Sequence, residues 1–131
     1  METEKFVYLT VQEAIKFHVL YMRKLGETRF GVFDRSLIES ALARPKHAAD
    51  YDNADIIRQS ATLLYGLIKN HPWEGGNKRT ATFLMNLFLK RNGWRLQTET
   101  SEIVELVLAV ESDKWKVAEI ENWLRPRVKK V

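Results

Sequence analysis

Two segments of this chain leave little freedom in how it folds. Between Ala54 and Asn70, residues Ile56, Ile57, Ser60, Leu63, Leu64, Leu67 and Ile68 recur at helical spacing as a broad stripe, which predicts a long helix with one face in a core. Between Thr80 and Leu89, residues Ala81, Phe83, Leu84, Met85, Leu87, Phe88 and Leu89 are apolar on nearly every side. A helix of that kind is central and buried. The chain has 131 residues, 45% of them hydrophobic and 29% charged, enough for a single sizeable core. The expectation is one domain spanning residues 1–131.

The remaining elements follow from local signals. Thr10 and Glu13 make a capping box, and Val11, Ile15, His18, Val19 and Met22 recur at helical spacing until Gly26 offers a stop. Asp34 caps a second helix carrying Leu37, Ile38, Ala41 and Leu42, which Pro45 is expected to close. Residues 45–53, PKHAADYDN, then read as the longest surface loop. Lys90, Arg91 and Gly93 end the buried helix. WRLQT, residues 94–98, is expected to pair with FVYL, residues 6–9. Ser101 caps a helix with Ile103, Leu106, Val107 and Val110, and a last helix runs through Val117, Ile120, Trp123 and Leu124 to Pro126. The fold class is therefore all-α, a compact bundle of about six helices with a buried central helix and a minor β-pair.

Composition removes several kinds of chemistry. Without cysteine there is no disulfide framework and no thiolate metal site. The acidic N-terminus is unlike a secretory leader, and no apolar run approaches the roughly 18 residues of a membrane span. A cytoplasmic protein is expected. The net charge of +4 includes a basic cluster, RPRVKKV, at the C-terminus. Charge alone is a weak reason to infer nucleic-acid binding, which is not expected.

Between the two core helices lies HPWEGGNKR, residues 71–79. Proline disfavours α conformation in the residue before it, so the long helix ends near Asn70 and leaves the His71 imidazole at its C-terminus. The next helix begins around Gly76 or Asn77. Its first N–H groups and positive dipole end form an anion site, and Gly75 and Gly76 let a ligand approach the backbone. Asn77, Lys78 and Arg79 add donors and charge, so a phosphate fits. An imidazole, titrating near neutrality, can take a proton from a hydroxyl while the cradle holds a phosphate in line. That is a phosphoryl- or nucleotidyl-transfer site. It is not a P-loop, whose four-residue spacing is absent, and the histidines His18, His47 and His71 are too scattered for a zinc site. Read singly, each of these residues is more often structural, and Trp73 is most simply a core anchor for the loop.

The segment resembles the signature of the Fic/Doc family, His-x-Phe-x-(Asp/Glu)-(Gly/Ala)-Asn-(Gly/Lys)-Arg, and stands here as His71-Pro72-Trp73-Glu74-Gly75-Gly76-Asn77-Lys78-Arg79. The likeness continues through TATFLMNLFLKRNG and reaches back to YLTVQEAIKFH and LIESALARP. It is most similar to the death-on-curing (Doc) branch: Lys78 stands where AMP-transferring relatives usually carry glycine, and Thr82 where they carry a second arginine. The resemblance implies a toxin of a toxin–antitoxin module that transfers the γ-phosphate of ATP to a hydroxyl of a protein such as elongation factor Tu, restrained by a Phd-like antitoxin. It implies His71 as general base, with Gly75, Gly76, Asn77, Lys78 and Arg79 around the nucleotide phosphates. Trp73 replaces the anchoring phenylalanine. A flap that docks the target would fall within residues 45–53. The internal inhibitory motif, (Ser/Thr)-x-x-x-Glu-(Gly/Asn), has no intact copy, because Leu106 follows Ser101–Glu105.

One departure bears on the reaction. The family's acidic position, which binds Mg²⁺ bridging the phosphates, is Gly75. Magnesium prefers one or two carboxylates with phosphate oxygens and water. Three outcomes stay open: a metal site rescued by Glu74, a metal-poor active site, and a catalytically degenerate module that binds an antitoxin or nucleotide without turnover. Restoring the carboxylate with Gly75→Asp is the direct way to separate them.

Overall fold

The computed structural model describes residues 5–131, and its architecture is built around the two core helices. Helix α3 (Ile56–Asn70) buries Leu63, Leu64, Leu67 and Ile68, and α4 (Asn77–Arg91) buries Ala81, Leu84, Met85, Phe88 and Leu89. Around them lie α1 (Val11–Lys24), α2 (Arg35–Asp52), α5 (Thr100–Glu111) and α6 (Val117–Leu124). The fold is all-α, with one small antiparallel sheet. One continuous apolar core collects residues from every helix.

Helix starts follow the capping chemistry. Glu13 N–H donates to Thr10 Oγ1 at 3.1 Å and Thr10 N–H to Glu13 Oε1 at 3.0 Å, closing the capping box of α1. Asp34 caps α2 by accepting from Ser36 N–H at 2.9 Å, and Asp55 caps α3 by accepting from Arg58 N–H at 2.9 Å. Helix α5 begins at Thr100, before the expected cap Ser101, with Glu102 accepting from Glu99 N–H at 3.2 Å.

Two expectations fail. Pro45 does not close α2: the helix runs through it to Asp52, so residues 45–52 are helical and not the expected surface loop. A proline inside a helix removes one hydrogen bond and costs about 3 kcal/mol. Here Ala41, Leu42, Pro45 and Ala48 form a buried stripe, and α2 packs chiefly against α3. Burial of that stripe outweighs the local penalty.

FVYL is also not a strand. The partner of β1 (Trp94–Leu96) is β2 (Val128–Lys130), in antiparallel register with Leu96 opposite Val128 and Trp94 opposite Lys130. The N-terminal segment is held by the Asn92 side-chain amide, which accepts from Val7 N–H at 2.8 Å and donates to Val7 O at 3.0 Å. Tyr8 stacks on Phe88 beneath it. The basic C-terminal cluster is largely structural. Arg125 bridges Asp55 and Glu121, and Arg127 pairs with Glu102 and lies over Trp123, 4.4 Å from the ring centroid.

Helices α3 and α4 are joined by residues 71–76, and the connection from α1 to α2, residues 25–34, crosses this loop. The site is built where these two connections meet.

Candidate active site

The loop's path is set by main-chain pairing with residues 31–34. Gly31 O accepts from Glu74 N–H at 2.9 Å, Pro72 O accepts from Phe33 N–H at 2.9 Å, and Val32 and Trp73 form an isolated antiparallel bridge. Inside the loop, Asn77 folds back on Trp73: its Oδ1 accepts from Trp73 N–H at 3.0 Å and its Nδ2 donates to Trp73 O at 2.9 Å. The side-chain amide of Asn77 is thereby held to the loop, leaving one Nδ2 hydrogen and its backbone N–H for a ligand. Trp73 is only 2% exposed, as expected of an anchor, but its Nε1–H has no partner among the described residues.

Beneath Trp73 sits a residue that sequence reading took for one more member of an apolar stripe. His18 is fully buried and stacks on the indole. Its Nε2 lies 2.7 Å from Phe30 O and its Nδ1 2.6 Å from Thr80 Oγ1. A carbonyl can only accept, so Nε2 carries the proton and Nδ1 accepts from the threonine hydroxyl. Burial pushes the imidazole below the usual histidine range, opposed by the Phe30 carbonyl. This neutral histidine ties α1, α4 and the crossing segment to the loop.

His71 is the C-cap of α3 in the left-handed region, φ 47° and ψ 57°, and its side chain is exposed. For a non-glycine residue this conformation costs of order 1–3 kcal/mol and persists only where the surroundings impose it. Gly76, the N-cap of α4, has φ 75°, and a Cβ there would stand 2.4 Å from the buried Met22 Sδ. No side chain caps α4, and its first intrahelical donor is Thr80 N–H to Gly76 O at 2.9 Å. The N–H groups of Asn77, Lys78 and Arg79 therefore have no acceptor among the described residues.

His71 and this uncapped helix start line one cavity of about 510 Å³. The structure thus brings His71, Glu74, Gly75, Gly76, Asn77, Lys78 and Arg79 to a common space, with Trp73 behind it in the core. It adds Glu27, Arg29 and Glu111, which sequence reading did not single out. Lys78 Nζ lies 3.0 Å from Glu111 Oε2, and Arg79 Nη1 lies 2.7 Å from Glu27 Oε1. Both pairs are substantially exposed, so each is worth about 0–1 kcal/mol and can be exchanged for a phosphate. The Ser101–Glu105 spacing lies toward the opposite end of α5 from Glu111, away from the cavity.

The family's acidic position is closed to a carboxylate. An ideal Cβ on Gly75 would stand 2.3 Å from the main-chain oxygen of Arg29, so position 75 has no room for any side chain. Glu74 lines the cavity with its carboxylate close to Gly31, while Glu27 and Glu111 are paired with Arg79 and Lys78. Among the described residues no three acidic or histidine side chains converge as a metal site. Of the three carboxylates lining the cavity, that of Glu74 forms no ion pair with a described residue.

The Gly75–Arg29 contact also removes Gly75→Asp as a clean restoration, because the new side chain would displace the crossing segment.

The chain is 26% identical over 119 residues to the protein kinase doc of Escherichia phage P1, an alignment covering 90% of this chain and 93% of that protein. The family model described as Fic/DOC matches residues 8–89, from the segment before α1 through the loop and along α4. With well over half of its length matched, and the signature loop within that span, the chain belongs to the Fic/DOC family.

Proposed function

We propose that this protein is a Doc-type toxin that transfers a phosphoryl group from ATP to a hydroxyl of a protein target, elongation factor Tu being the first candidate. The observation that carries this reading is the shared cavity, with an imidazole on one wall and an uncapped helix start with two cations on the other. The nucleotide's phosphates lie against the free N–H groups of α4, where the helix dipole favours negative charge, and Lys78 and Arg79 exchange their carboxylate partners for phosphate oxygens. His71 takes the proton of the acceptor hydroxyl, whose oxygen bonds to the γ-phosphorus as the bond to the β–γ bridging oxygen breaks. ADP leaves. Positioning and charge neutralisation carry most of such a transfer, and the base adds about 10²–10⁴ in rate.

The kinase name of the phage relative supports phosphoryl over AMP transfer, as does Lys78. A separate Phd-like antitoxin is the expected restraint. No helix of the described residues is long and apolar enough to cross a membrane. Intact mass spectrometry of elongation factor Tu and other candidate targets after incubation with ATP tests activity and product together. A gain of one phosphate that His71→Ala abolishes is expected, and a gain of AMP would reassign the transferred group. Full transfer by His71→Ala would remove the base.

A second reading, a module that binds without turnover, is favoured by the closed position at Gly75 and by the carboxylates already on Lys78 and Arg79. It expects nucleotide or antitoxin-peptide binding with no mass change on any target.

A further inference from the structure

We propose that Arg29 is a phosphate-binding residue of this site and supplies the positive charge that a divalent cation would otherwise bring. The inference rests on the phosphotransfer reading above and identifies how its nucleotide is held.

Three observations converge on it. The first is steric. The crossing segment lies so close to the loop that Arg29 O occupies the space in which a side chain at position 75 would begin. A carboxylate at position 75 is absent from the sequence and also excluded by the packing. The second is placement. Arg29 lines the cavity together with Lys78, Arg79 and His71. Its main chain is held by neighbours on both sides of the loop: Phe30 O accepts from the buried His18, and Gly31 O from Glu74 N–H. The third is charge. Lys78 has Glu111 and Arg79 has Glu27, whereas Arg29 forms no ion pair with a described residue and is exposed. It can accept an anion without first releasing a carboxylate. A guanidinium is always protonated, and its planar fork matches two phosphate oxygens at once.

Anionic ligand and cation have therefore changed places. Where a carboxylate would recruit Mg²⁺ to the phosphates, the backbone of residue 29 closes that position and the side chain of the same residue brings a fixed positive charge.

The test is ATP affinity of the whole protein by isothermal titration calorimetry, in EDTA and in Mg²⁺, for wild type, Arg29→Ala and Arg29→Lys, with adenosine as the probe lacking phosphates. Wild type is expected to bind ATP in EDTA within about threefold of its affinity in Mg²⁺. Losing one charge-assisted bidentate contact should weaken ATP binding in EDTA by about 10- to 100-fold in Arg29→Ala. Lysine should recover part of this, and adenosine binding should not change. Because Arg29 is exposed, its variants should keep the wild-type melting temperature. Equal ATP affinity for Arg29→Ala and wild type in EDTA would overturn the proposal, as would wild-type binding that requires Mg²⁺. Arg29-dependent binding without transfer to any target would instead count against the phosphotransfer reading and leave the role of Arg29 supported. Transfer by a wild type that binds ATP only with Mg²⁺ would do the reverse.

Discussion

The His18 imidazole lies nearly flat on the Trp73 indole, with ring centroids 3.9 Å apart and planes 13° from parallel. Through this stack the loop that carries His71 is pinned to α1, and through Thr80 to the first turn of α4. Truncating the indole should therefore be expensive: Trp73→Ala is expected to cost about 3–5 kcal/mol. Trp73→Phe should cost less than about 2 kcal/mol, because it also removes a buried N–H without a partner, whose burial is itself unfavourable by about 1–3 kcal/mol. Urea denaturation of both variants measures the difference. Equal losses would mean that a phenyl ring recovers none of the indole's packing.

The stack also gives the protein an acid-sensitive joint. Burial holds His18 below the ordinary histidine range, so the unfolded chain binds its proton more readily than the folded one. The resulting stability is fully present above the unfolded value of about 6.5 and is lost as the pH falls from there through the folded pKa. The carboxylates lowered by ion pairing or capping, Asp55 and Glu102 among them, lose their contributions only at more acidic pH. Unfolding free energy measured between pH 7 and pH 5 should fall in wild type and be flatter in His18→Asn.

At position 75 the structure leaves no tolerance. Gly75→Ala is expected to destabilise the protein by about 1–3 kcal/mol, the usual cost of forcing an atom into a filled space. Arg29 O, 2.3 Å from the new Cβ, has to move, and nucleotide affinity should drop with it. Gly75→Asp should behave in the same direction and should not produce Mg²⁺-dependent transfer. Thermal melts and calorimetry of both variants test this.

The two ion pairs on the cavity wall compete with phosphate. Neutralising the acid while keeping its shape, in Glu111→Gln and Glu27→Gln, should raise ATP affinity by up to about fivefold each, the reach of an exposed pair worth at most about 1 kcal/mol. Stability should change by less than about 1 kcal/mol. Weaker ATP binding in these variants would mean that the carboxylates help hold the nucleotide instead of competing with it.

Much of this arrangement was legible in the chain. Thr10 and Asp34 announce their helices through side-chain caps that act over two or three residues, whereas the Asp55 cap of α3 emerged only in the structure. The stripe of α3 and the all-round apolar character of α4 state which helices are central. The loop between them could be read as a phosphate site because proline, two glycines and a basic helix start act locally. Pro45 misled for a related reason: its local preference is strong, and only the burial of Ala41, Leu42 and Ala48 beside it carries α2 onward. The sheet misled because FVYL reads as extended whereas VKK reads only as charge, and neither states its partner.

Amino-acid order alone determined what depends on neighbours within about one helical turn: the caps, the helix faces, the bend at Pro72 and the donors after Gly76. Tertiary structure alone decided what depends on residues far apart in the chain. It set Arg29 O against Gly75, Glu27 on Arg79, Glu111 on Lys78 and His18 under Trp73. The physical reason is that side-chain periodicity encodes which face of an element is buried, whereas close approach between elements is fixed by how all the faces pack at once. Such approaches leave no periodic trace in the residues that make them.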